Sequence, residues 1–206
     1  MHPLLLEKLN AHPELFSDQA DQQYTIMGGS WQAYEALLSD LGDDFPGLRV
    51  HYLDGTLGIT MPGHQHEVVK DNIGRLLGVY FEATHTRFYG LGSTPFKAEA
   101  KRRGTDPDVS FCIGTDKEFP DIAIEVLQTS GGVNKLDIYQ GLSVVEVWFW
   151  QDDQFAVYRL QEEGYELRER SEFLPALELS LLATYGRYPE LLDAVIEFRQ
   201  ALRSAR

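Results

Sequence analysis

Asp108, Glu125 and Lys135 form an ordered set of two carboxylates and an amine. Asp108 opens the run Val109 to Ile113, and Glu125 interrupts the otherwise apolar stretch from Ile122 to Leu127. A carboxylate inside a buried strand is costly unless it is paired or binds a metal. Two carboxylates brought together repel each other, and a divalent cation relieves that repulsion. Mg²⁺ suits such a pair because it takes oxygen ligands and keeps several waters; Mn²⁺ can substitute for it. A bound Mg²⁺ makes a water more acidic and stabilises charge on a phosphoryl oxygen. Lys135, just beyond a turn and near the start of a helix, could orient the attacking water or offset phosphate charge. The plain alternative is a buried Glu125–Lys135 ion pair with no chemistry, and spacing alone does not choose between the two.

His64-Gln65-His66-Glu67 also contains metal-binding residue types. Alternate residues on a helix point in different directions, so His64 and His66 would not face one ion. The stretch His66 to Lys70 is not the zinc-protease pattern, because its last position is lysine. A histidine at a helix start reads first as a cap or a packing residue; the functional reading has His66 or Glu67 pointing into the same cleft as Asp108. Gly28-Gly29-Ser30 lacks the lysine of a phosphate-binding loop, and no nucleophile-elbow motif supports Ser-His-Asp catalysis. The single cysteine, Cys112, lies in an apolar run and reads as a small buried residue. One cysteine excludes an internal disulfide and suits a reducing cytoplasm.

These residues must be held by elements legible in the pattern of the chain. Ser30 is a candidate cap for a helix over Trp31 to Leu41 with apolar residues at helical spacing. Arg49 to Leu53 and Thr56 to Met61 read as a hairpin turned by Asp54-Gly55. His64 to Ala83 reads as a long amphipathic helix burying Val69, Ile73, Leu76, Leu77 and Tyr80. Short strands are expected at Arg87 to Leu91 and Pro95 to Ala100, then Val109 to Ile113. Asp121 to Leu127 reads as a central strand covered on both faces. A helix to about Leu142, a strand from Val144 to Trp150, a hairpin over Gln154 to Arg170 and a final helix over about Pro189 to Leu202 complete the order. The first thirty residues read as irregular, with a short helix at Leu4 to Leu9. That order predicts an α/β chain with strands and helices sharing one mixed sheet.

Composition bounds the partners. The chain has 206 residues, near the size of one domain, and 43% of them are hydrophobic, which suits a continuous core. The longest apolar run is far below the roughly 18 residues that span a bilayer, so no membrane partner is expected, and the start does not read as a signal peptide. The net charge of −14 opposes a nucleic-acid partner. Lys97, Lys101, Arg102 and Arg103 form a local basic cluster that reads equally as a phosphate contact or a solvated loop.

Several blocks resemble a known family. Tyr52-Leu53-Asp54-Gly55, Met61-Pro62, His66 and Asn72 look like its opening. Asp106-Pro107-Asp108-Val109-Ser110 resembles its Pro-Asp strand, and Ile124-Glu125-Val126 its second carboxylate strand. Thr129 to Tyr139, with Lys135, is similar to one branch, and Val145 to Trp150 resembles the strand that follows. The chain is similar, over about residues 30 to 185, to the restriction endonuclease-like family of the PD-(D/E)XK nuclease superfamily. The resemblance implies a restriction-endonuclease-like core with Asp108, Glu125 and the carbonyl of Val126 as metal ligands, and Mg²⁺-dependent hydrolysis of phosphodiester bonds in nucleic acid, DNA first. It implies one domain over residues 31–206, with residues 1–30 as an extension. The superfamily pattern sets lysine two residues after the glutamate, where this chain has Leu127. Lys135 would supply the amine, with His66 as a secondary contact and Gln128 lining the site. The other reading is an inactive nuclease fold kept as a binding or regulatory module. Trp148 and Trp150 would permit a homodimer, but core packing accounts for them equally.

Overall fold

Alternation, turn chemistry and helical spacing generate a mixed α and β architecture in the computed structural model, which describes residues 21–41, 47–127 and 133–204. The expected helix at Leu4 to Leu9 lies outside the described residues. The strands are β1 (Gln22–Met27), β2 (Arg49–Leu53), β3 (Thr56–Met61), β4 (Phe88–Gly90), β5 (Phe96–Ala98), β6 (Arg103–Thr105), β7 (Val109–Ile113), β8 (Ile122–Val126), β9 (Glu146–Gln151), β10 (Gln154–Gln161) and β11 (Gly164–Arg168). The helices among the described residues are α1 (Trp31–Leu41), α2 (His64–Thr84), α3 (Lys135–Leu142), α4 (Leu179–Gly186) and α5 (Leu191–Ser204). The strands do not share one sheet. They divide into a five-stranded sheet ordered β1-β3-β2-β6-β5 and a six-stranded sheet ordered β11-β10-β9-β8-β7-β4.

The chain forms two compact units, each built on one of these sheets. The first holds residues 21–41, 47–66, 95–106 and 133–142. Its sheet is antiparallel throughout. The β2–β3 hairpin turns at Asp54 and Gly55, with φ of 45° and 93°, as that dipeptide favours. The side chain of Ser30 caps α1 by accepting the N–H of Ala33 at 3.1 Å. Trp31, Tyr34 and Tyr52 meet with ring centroids 5.1–5.3 Å apart at the centre of this unit's core. The β1 strand was hidden in a segment that reads as irregular. It is polar at its start, and only its pairing with β3 makes it a strand.

The second unit holds residues 67–94, 107–127 and 143–204. Its sheet is antiparallel except between β8 and β9. Ile122, Ile124 and Val126 of β8 enter one core with Val109, Phe111, Trp148 and Trp150, against Val69, Ile73, Leu76 and Leu77 of α2. Side chains alternate along a strand, so Ala123 and Glu125 point to the opposite face of the sheet. That face is buried as well: Glu125 is 0% exposed. The continuous apolar character of β8 has its cause in this double covering. Both tryptophans of β9 are core residues. The α4 helix, which the pattern of the sequence did not reveal, packs against α5 and β10.

No described helix is long and apolar enough to cross a membrane.

Candidate active site

Asp108 and Glu125 are brought together by strand register. Val109 pairs with Ile124 across the antiparallel β7–β8 ladder. Asp108 stands in a bend one residue before this ladder, and Glu125 is the residue after Ile124 on β8, with its side chain on the face away from the core. Asp108 is 5% exposed. Its Oδ2 accepts the N–H of Val126 at 2.8 Å, which ties the loop end of β7 to β8 beside Glu125. Pro107 stands just before Asp108, outside the ladder, where a missing N–H costs no sheet bond. Asp108, Glu125 and Val126 thus occupy one end of the neighbouring strands β7 and β8 of the six-stranded sheet.

The donor set suits a hard divalent cation. Two buried carboxylates and a main-chain carbonyl offer only oxygen, and Mg²⁺ is held by one or two carboxylates while keeping its own waters. A second buried glutamate, Glu146, lies in the same unit. Glu146 accepts Trp148 Nε1 at 3.0 Å, Ser171 Oγ at 2.7 Å, Arg159 Nη1 at 3.2 Å and the N–H of Glu172 at 2.8 Å. Its oxygens are saturated by donors, which makes it a structural carboxylate. The sequence carried no sign of this hub, because three of its partners lie 13 to 26 residues away.

Lys135, His66 and Asp106 belong to the five-stranded unit. Lys135 is the first residue of α3, which contacts β6, β5 and β2. Its charge reaches Asp106, where it opposes the effect of burial. Burial dominates and pushes the Asp106 carboxyl up to about 6, against the N–H of Val50 and the charges of Arg49 and Lys135. The Val50 N–H donates to Asp106 Oδ2 at 3.3 Å, while Oδ1 is buried with no hydrogen-bond partner among the described residues. His66 is 3% exposed, and its Nδ1 lies 2.9 Å from Asp21 Oδ2. Asp21 Oδ1 accepts the N–H of Gly63 at 2.9 Å, so one aspartate links the entry of α2 to the histidine. Asp21 lies 45 residues before His66, and nothing local announces that partnership. Glu67 pairs with Lys70 one turn along α2. Gln128 and the turn at 129–132 lie outside the described residues.

Three members of the basic cluster are paired within their own unit. Lys97 pairs with Glu35 at 3.1 Å and Arg103 with Asp54 at 2.8 Å. Arg103 also donates to the carbonyl of Asp137 at 3.2 Å, and Arg102 to Tyr52 Oη at 3.0 Å. Cations do line a cleft in the six-stranded unit. It has a volume of about 560 Å³ and is bordered by Lys70, Asp71, Gly74 and Arg75 of α2, by Gly90, Gly92 and Ser93, and by Asp108 to Phe111.

A family model, Uma2, described as "Putative restriction endonuclease", matches residues 31–188. No curated protein matches the chain.

Proposed function

The chain belongs to the Uma2 family of restriction endonuclease-like proteins, and from that premise we propose that it is a divalent-metal-dependent endonuclease that hydrolyses phosphodiester bonds, with DNA as its first substrate. The observation that carries this reading is the hydrogen bond from the Val126 N–H to Asp108 Oδ2, which sets two buried carboxylates, Asp108 and Glu125, at the same end of β7 and β8. Family membership supports nuclease function in general; metal, substrate and residue roles are the proposal.

Asp108, Glu125 and the carbonyl of Val126 would hold Mg²⁺. When bound, the ion supplies Lewis acidity, lowering the pKa of a water and neutralising charge on a phosphoryl oxygen. The chain's own contribution is positioning. The N–H of Val126 fixes one oxygen of Asp108. Burial of Glu125 within a strand with little rotational freedom keeps its carboxylate in one place. Lys135 is the amine that takes the role of the lysine missing at Leu127; its assignment rests on the family resemblance of residues 129 to 139. In this role it holds the attacking water by a hydrogen bond and offsets the charge that grows on phosphorus oxygens. His66, held by Asp21, is proposed as a secondary contact.

The experiment is cleavage of supercoiled plasmid with Mg²⁺ or Mn²⁺ by the pure protein and by Asp108→Ala. Metal-dependent nicking that vanishes in the variant supports the reading. Equal cleavage by both proteins sinks it. Cleavage by neither, on DNA or RNA, leaves the nuclease fold as a binding or regulatory module.

A further inference from the structure

The charge of −14 poses a question that the active-site carboxylates sharpen: which groups attract a polyanion to this protein? The cluster that looks suited, Lys97 to Arg103, is engaged with Glu35, Asp54, Asp137 and Tyr52. The cleft bordered by Asp108 offers a different pair. Lys70 and Arg75 of α2 both border it, with Asp71 and Gly74 between them in sequence. Arg75 is exposed and makes no ion pair with any described residue. Lys70 is half-buried and held by Glu67, so its ammonium has a set position.

The remaining lining mixes main chain with the side chains of Ser93, Val109 and Phe111. Gly90 and Gly92 contribute main chain, and Gly92 has a φ of 59°, which glycine adopts without strain. The space beside Gly92 is open: an added Cβ would meet nothing within 4 Å. The loop is nonetheless anchored. Ser110 Oγ donates to the carbonyl of Gly92 at 2.8 Å, and the N–H of Leu91 donates to the carbonyl of Ser110 at 2.9 Å. Ser110 lies two residues from Asp108, so the same strand fixes the loop and carries the candidate ligand. An open cleft that presents Lys70 and Arg75 on one side and main chain at Gly90 and Gly92 suits a sugar-phosphate backbone better than a small apolar molecule.

We infer that this cleft is the backbone-binding groove of the protein, with Arg75 and Lys70 as phosphate contacts and Asp71 as an opposing charge that limits affinity. The inference rests on the nuclease reading for its polymer, and on the cleft alone for its residues. A short fluorescein-labelled DNA duplex, its separated strand and an RNA strand of the same sequence are titrated by anisotropy over a range of salt, with Ca²⁺ as the divalent ion. Arg75→Gln should weaken binding roughly five- to tenfold and lower the salt slope by about one. Asp71→Asn should strengthen binding by a few-fold. Arg170→Gln, beyond β11 at the opposite edge of the sheet, removes the same charge and should leave both affinity and slope unchanged. A purely structural role for these residues would not move affinity in opposite directions.

Equal binding by Arg75→Gln, Asp71→Asn and wild type overturns the groove while leaving the nuclease reading intact. Wild-type protein that binds none of the three probes also overturns it. The metal site is then judged separately by Mn²⁺ calorimetry, which needs no nucleic acid.

Discussion

The main-chain N–H of Val126 donates to Oδ2 of Asp108 at 2.8 Å, so the strand that carries Glu125 also orients the Asp108 carboxylate. A side chain held by the backbone of its neighbouring strand loses little further freedom when it takes up an ion. This is the preorganisation that metal chemistry requires.

If the pair holds a divalent cation, removing either charge should abolish tight binding. Wild-type protein titrated with Mn²⁺ in a calorimeter is expected to show one site, and Glu125→Gln is expected to lose at least about tenfold in affinity. Far-ultraviolet circular dichroism of the variant should match wild type, because glutamine preserves the volume. Unchanged Mn²⁺ affinity would remove Glu125 from the site.

Lys135 is assigned to water and phosphate, not to the ion. Lys135→Met should therefore reduce cleavage by roughly a hundredfold or more, with Mn²⁺ affinity within about a factor of two of wild type. A variant that loses metal affinity together with activity would instead point to a role in holding the site together.

Asp106 offers a pH signature. Its folded pKa is raised to about 6 from an ordinary 3.8, chiefly by burial. A raised pKa means that the folded state favours the protonated form. The associated stability is complete below about 3.8 and is lost as pH rises through about 6. Asp106→Asn keeps an acceptor for the Val50 N–H and removes the charge. Its stability relative to wild type should be greatest at pH 7 and shrink steadily from pH 6 to pH 4. The difference should reach on the order of 3 kcal/mol, from about 1.4 kcal/mol per pKa unit. Urea unfolding of both proteins at several pH values measures it, and a pH-independent difference would contradict the assignment.

Glu146 should behave in the opposite manner to Glu125. It is fully buried and saturated by four donors, so Glu146→Ala strands Arg159, Trp148 and Ser171 at once. A loss of about 3–5 kcal/mol in unfolding free energy is expected, with no direct effect on Mn²⁺ affinity in whatever fraction remains folded. A loss below about 1 kcal/mol would show that the network contributes little.

Gly104 is required for packing, not for backbone freedom. A Cβ there would come within 2.6 Å of Tyr34 Cε1, inside the aromatic cluster. Gly104→Ala should cost about 1–3 kcal/mol, visible as a lowered Tm. A Tm equal to wild type would mean that the Tyr34 ring moves aside freely.

The amino-acid sequence by itself determined most of the local elements and marked Asp108 and Glu125 as candidates. Asp54-Gly55 can turn only a tight hairpin at such φ values, the stripe from Val69 to Tyr80 can bury only one helical face, and a lone glutamate between Ile124 and Val126 must be explained. These are effects over a few residues, which the chain carries wherever it goes. Tertiary structure decided the rest, because pairing between distant segments leaves no local trace. It divided the strands into two sheets, recruited the polar segment Gln22–Met27 as a strand by pairing it with β3, and gave His66 a partner in Asp21. It also withdrew Arg102 and Arg103 into structural contacts and set Lys70 and Arg75 beside Asp108 instead. Charge can be counted along a sequence, but which cations are already paired is settled by long-range contacts that only the folded chain makes.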